Sequence, residues 1–109
     1  MTTGQAWALV LVAGGLEVVW ALALKASQGF TRWIPSLVVL VGATASFWLL
    51  ALAMRVLPAG TAYAVWTGIG AVGTAVLGIL VFGEPAGTLR LLCIVLIVAG
   101  VLGLKFASA

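Results

Sequence analysis

The chain carries only two acids, and one of them, Glu17, stands inside the apolar stretch VAGGLEVVWALALK. A charge at the centre of a bilayer costs about 2.5–3.5 kcal/mol on insertion scales. An acid there needs a partner or a purpose. No Lys or Arg falls at comparable depth in any apolar stretch. Burial in hydrocarbon penalises the ionised form of a carboxyl. That moves the group toward neutrality, where it takes and releases protons or binds a cation in the proton's place. A structural reading stays open beside this one: a protonated Glu17 bonding across to a neighbouring helix.

Helical spacing surrounds Glu17 with suitable groups. Ala13 and Gly14 precede it by one turn and open space beside it, while Trp20 and Ala21 follow by one turn. Trp20 offers an indole N–H to an ionised carboxylate and a π face to a cation, or serves as a packing or lipid-facing aromatic. In the second apolar stretch Gly42 and Ser46 are one turn apart. Ser46 can donate to a carboxylate, or to the carbonyl four residues back on its own helix. In the third, Tyr63, Trp66 and Thr67 share a face that can line a cation pocket. That face continues through Gly70, Thr74 and Gly78 as a stripe of small residues that permits close helix approach. Gly68, Gly70 and Gly73 weaken the helix and suit a kink or hinge; tight packing alone is the other reading. In the fourth, Ala99, Gly100 and Gly103 form another small-residue face, suited to association between subunits.

Much other chemistry is excluded. There is no His and no Asp, so a His-ligated metal and a His proton switch are impossible. The single cysteine, Cys93, lies in an apolar run and reads as a small packing residue. No nucleophile–base pair accompanies Glu17, which argues against an enzyme, and nothing calls for a cofactor. The net charge of +3 is scattered over five isolated basic residues. It makes no basic patch, so no nucleic acid partner is expected. Glu84, outside the apolar stretches, reads as a solvated acid or one at a helix N-terminus.

These residues need elements to hold them. The chain of 109 residues is 65% hydrophobic and 6% charged, against roughly a quarter charged in soluble domains. It is read as a single all-α membrane domain, residues 1–109. Four spans are predicted: Ala6 to Leu24, Ile34 to Met54, Thr61 to Phe82 and Leu89 to Phe106. Each is near the roughly 20 residues that cross a ~30 Å hydrocarbon core. Ala21-Leu22-Ala23 looks like a signal-peptide cleavage site. However, no Lys or Arg precedes the first run and Glu17 interrupts it, so it is kept as a mature helix. Trp7 and Trp33 fall near the expected water interfaces, where aromatic anchors collect.

The connections are short and force neighbouring helices antiparallel, with both termini on one side of the membrane. That side carries Arg55 and Lys105, and the other Lys25, Arg32 and Arg90. The near balance sets no orientation by the positive-inside rule, so a chain of this kind can insert both ways. Four helices from one copy hardly enclose a pathway, and a homo-oligomer, most simply a dimer, follows.

A chain of this length, with four short spans and a lone Glu in the first, resembles the small multidrug resistance family over essentially its whole length. Within that family it is similar to the guanidinium exporter subtype, often called quaternary ammonium compound-resistance proteins. The segments that carry the likeness are GGLEVVWALALKASQGFTR, IPSLVVLVGATASFWLL, LPAGTAYAVWTGIGAVG and FGEPAGTLRLL. The run Glu-Val-Val-Trp is the sharpest of them. The resemblance implies an antiparallel, dual-topology homodimer in the inner or plasma membrane, in which Glu17 of both subunits binds protons or the cation. It implies that Trp20, Ser46, Tyr63 and Trp66 line or brace the site, that Gly68-Ile69-Gly70 is a third-helix kink, and that the fourth helix is the main dimer contact. Cys93 departs from the pattern, since some drug exporters have Gly there.

The expected activity is proton-coupled export of guanidinium or a small guanidinyl cation by alternating access. Guanidinium is planar and meets a carboxylate through two parallel hydrogen bonds. One alternative is export of quaternary ammonium or lipophilic cationic drugs, which cannot donate hydrogen bonds and need an aromatic pocket. Another is a membrane subunit that packs against a larger partner and transports nothing.

Overall fold

The computed structural model describes residues 1–107. Among them the elements are four helices: α1 Thr3–Ala26, α2 Trp33–Ala53, α3 Ala59–Phe82 and α4 Thr88–Ala107. All four are long and apolar enough to cross a membrane. The chain is an all-α, multi-pass membrane protein.

Local chemistry sets the helix ends. α1 begins three residues ahead of Ala6 because Thr2 and Gln5 form a reciprocal cap. The Gln5 N–H donates to Thr2 Oγ1 at 3.1 Å, and the Thr2 N–H to Gln5 Oε1 at 2.9 Å. Such a box satisfies two donors that a helix start leaves unpaired. After α1, the buried Ser27 hydroxyl donates to the Leu24 carbonyl at 2.7 Å and accepts from the Phe30 N–H at 3.1 Å. α3 starts directly after Pro58, where a residue without an N–H loses nothing. It stops at Gly83, whose left-handed φ of +66° directs its N–H to the Gly78 carbonyl.

In lipid, helices gain little from the hydrophobic effect and associate through close packing. Small residues supply it here. Ala6 and Ala13 on α1, Ala53 on α2 and Ala62 on α3 are fully buried, and Val10, Leu50, Val65 and Trp66 pack among them. α1 is the hub, packing along α2 and, less extensively, α3. α2 and α3 meet sparingly, and α4 neighbours only α3 along its backbone. Two cations tie helix ends together. Lys25 of α1 sits 5.4 Å from the Phe82 ring centre of α3, and Lys105 of α4 sits 5.7 Å from that of Trp7 on α1. Trp33, by contrast, stands fully out from the protein.

The outcome is a plate, 40 × 34 × 16 Å in Cα extent. A single layer of helices is only about 4.6 Å thick in Cα atoms, so the thinnest dimension corresponds to about two packed layers. None of the described residues of α4 is buried.

Candidate functional site

Glu17 projects from α1 toward α3. Its carboxylate lies against the backbone of Gly70, where any Cβ would overlap it. One carboxylate oxygen, Oε1, is fully buried and has no hydrogen-bond partner among the described residues. The rest of the group faces an open groove of about 390 Å³ whose walls include Ala21, Thr67, Gly70, Thr74 and Ala75. The Thr74 hydroxyl is likewise buried without a partner. Glu17 and Thr74 thus line one groove, and each has a buried side-chain oxygen without a hydrogen-bond partner among the described residues, an arrangement that in native proteins calls for an explanation.

The flanking helices give that carboxylate its backdrop. Gly14 does not open space beside it. A Cβ on Gly14 would fall 2.7 Å from Ile69 Cγ2, so the room is filled by α3. Ser46, fully buried on α2, donates to the Ala13 carbonyl of α1 at 2.6 Å and accepts from Trp66 Nε1 of α3 at 2.9 Å. It uses neither a carboxylate nor its own helix. The hydroxyl bridges three helices, and the carbonyl it holds is one turn before Glu17.

Trp20 faces α2 rather than α3: its Cβ sits 3.1 Å from where a Cβ on Gly42 would stand. Its indole N–H is buried and has no partner among the described residues. Four rings follow one another from there. Trp20 and Phe47 centres lie 6.2 Å apart, Phe47 and Trp66 5.3 Å, and Trp66 and Tyr63 5.6 Å. Tyr63 is half exposed, while Trp66 is buried. Phe47, which joins Trp20 to Trp66, is not singled out by spacing; it directly follows Ser46, and that adjacency is the available signal.

α3 runs as helix without interruption through Gly68, Ile69 and Gly70, and both glycines serve as seats for neighbours. Gly68 receives Val101 of α4, as Gly70 receives Glu17. Ala99, Gly100 and Gly103 of α4 are exposed, and a Cβ on Gly100 or Gly103 would meet nothing in this chain. Cys93 is exposed on the same helix. Glu84 is not a freely solvated acid: its Oε1 accepts from Arg90 at 2.7 Å, and both residues border the groove that holds Glu17.

Comparison with known proteins gives a family match and similar proteins. The family model described as "Small Multidrug Resistance protein" matches residues 5–97. A "Guanidinium exporter" of Yersinia pseudotuberculosis serotype I (strain IP32953) is 60% identical over 104 residues, covering 95% of this chain and 100% of that protein. "Guanidinium exporter" proteins of Proteus vulgaris and Salmonella typhimurium are each 55% identical over 104 residues. These cover 95% of this chain and 100% and 99% of the respective relatives.

Proposed function

Because the chain belongs to the small multidrug resistance family, we propose that it is a proton-coupled antiporter exporting guanidinium and small guanidinyl cations. The family and its relatives support a small-cation exporter of the plasma membrane rather than an enzyme. One observation carries the finer reading: the Glu17 carboxylate, seated on Gly70, with a buried unpartnered oxygen at an open groove. A guanidinium ion presents two parallel N–H donors that fit a carboxylate. A proton on the same carboxylate removes that acceptor pair. Protons and cations then compete for one group, and exchange follows from competition.

The working unit is a homodimer. One copy leaves its groove open and α4 uncovered, and so does not seal a cation from both sides. A second copy in the opposite orientation, packed through Ala99, Gly100 and Gly103, supplies the missing wall and a second Glu17. Two facing carboxyls titrate as a coupled pair. Tyr63 lines the space between the copies, with Trp20, Trp66, Gly14 and Ser46 bracing the helices behind Glu17. Bending of α3 at Gly68 and Gly70 opens one side or the other. Since Gly70 touches Glu17 and Gly68 touches Val101 of α4, occupancy of the site and the position of the dimer helix are linked through two residues of one turn.

Guanidinium uptake into proteoliposomes under a pH gradient tests this. The wild-type chain accumulates guanidinium and Glu17→Gln does not; coupled uptake retained by Glu17→Gln sinks the reading. A second reading, export of quaternary ammonium ions, is favoured by the run of rings from Trp20 to Tyr63, which offers π surface to a cation without donors. Competition between guanidinium and tetra-alkyl ammonium ions for uptake separates the two.

A further inference from the structure

The groove that ends at Glu17 has a second carboxylate along it. Glu84 follows α3 in the connection to α4, where an acid is ordinarily free to face water, yet its side chain folds back onto α3. A Cβ on Gly78 would overlap Glu84 Oε1, and the Glu84 N–H donates to the Gly78 carbonyl at 3.3 Å. Glu84 and Arg90 thereby become wall residues of the same groove as Glu17 and Gly70. Gly70 and Gly78 are two seats on one helix, eight residues apart, or ~12 Å at the usual rise. Thr74 and Ala75 pave the interval.

The partner of Glu84 is itself a guanidinium. Arg90 reaches it with a single terminal nitrogen at 2.7 Å, and both side chains keep about a third of their surface exposed. Lys25, a cation of the adjoining helix end, is occupied by the Phe82 ring instead. A free guanidinium ion matches Glu84 as well as Arg90 does, because the reacting surfaces are chemically the same.

We propose that Glu84 is an outer station for guanidinium-type cations on the path to Glu17, and that Arg90 fills it as an internal competitor when no cation is present. This rests on the guanidinium reading above. An arriving ion displaces the Arg90 nitrogen, is held at Glu84, and is released toward the inner carboxylate as Arg90 returns. The exchange swaps one guanidinium–carboxylate pair for another, so the desolvation of Glu84 changes little.

The test is the initial rate of guanidinium transport by the full chain in proteoliposomes, with KM and kcat separated. Arg90→Gln removes the competitor, so KM falls about two- to fivefold, the span expected of a part-exposed ion pair. Glu84→Gln removes the station, so KM rises by a similar factor, while kcat moves less than KM in both. Combining the two substitutions leaves the KM of Glu84→Gln. A purely structural ion pair shifts both variants in the same direction and lowers their thermal midpoints together; that result, or an unchanged KM in either folded variant, overturns the proposal. Arg90→Lys provides a milder variant should Arg90→Gln not fold: Lys keeps the charge on a more strongly hydrated ammonium that competes less well for a part-exposed carboxylate, and its KM falls less but still falls. A wild-type chain that moves quaternary ammonium ions but no guanidinium overturns the guanidinium reading itself, an outcome separate from a wild-type chain that moves guanidinium while the variants show no opposite shifts.

Discussion

Gly70 of α3 lies directly beneath the carboxylate of Glu17 on α1, so close that the smallest side chain would overlap it. The third helix is therefore the floor of the binding group. Whatever binds Glu17 must do so from the groove side, and any motion of α3 at Gly70 moves that floor.

Gly70→Ala follows from this contact. The added methyl must displace the carboxylate or push α1 and α3 apart, an overpacking cost of about 1–3 kcal/mol. If that cost falls on the transport cycle, guanidinium turnover should fall about five- to 150-fold, since about 1.4 kcal/mol is a factor of ten. Transport in proteoliposomes and the thermal midpoint in detergent measure the two effects; unchanged transport would show that Gly70 is not the floor.

Ser46→Ala should destabilise the fold through Trp66. The substitution leaves the buried indole N–H without its acceptor, at a cost of about 1–3 kcal/mol. The Ala13 carbonyl loses only its second bond. Adding Trp66→Phe to Ser46→Ala removes the orphaned donor, so the pair should cost less than the two single changes summed. Denaturant midpoints of the four proteins, followed by tryptophan fluorescence, check the cycle.

Gly68→Ala should loosen α4. Its new methyl would meet Val101, and Val101→Ala in the same chain should return most of the loss. Because α4 is the proposed dimer helix, the readout is the dimer–monomer equilibrium in detergent. Gly68→Ala shifts it toward monomer and the double variant shifts it back.

Lower pH should weaken guanidinium binding. A proton on Glu17 removes the acceptor pair the cation needs, so each step toward acid raises the apparent KM while saturating guanidinium restores the rate. Uptake at several pH values, with guanidinium varied at each, reads this. A KM that falls toward acid contradicts competition at one group.

The four spans and the buried acid were legible because twenty-residue apolar runs and an acid inside one are large signals. Directions were less so. Glu17 and Trp20 are one turn apart, a spacing that lets the indole N–H reach the carboxylate, yet the carboxylate meets α3 while Trp20 meets Gly42 and Phe47 of α2. Helical spacing fixes the angle between two side chains but not which neighbour each faces, and in a nearly all-apolar helix no polar face marks the inside. Spacing makes Gly14 open space beside Glu17, and the structure fills that space with Ile69. Ser46 had two plausible acceptors and took a third, the Ala13 carbonyl, which only the α1–α2 packing brings near. The Glu84–Arg90 pair spans a connection whose path depends on the left-handed turn at Gly83.

The most direct measurement is the current from purified protein on a solid-supported membrane, challenged separately with guanidinium and a tetra-alkyl ammonium ion. Guanidinium should evoke a transport current in the wild-type chain and none in Glu17→Gln. A current from the tetra-alkyl ion alone, or no current from either, would contradict proton-coupled guanidinium export through Glu17.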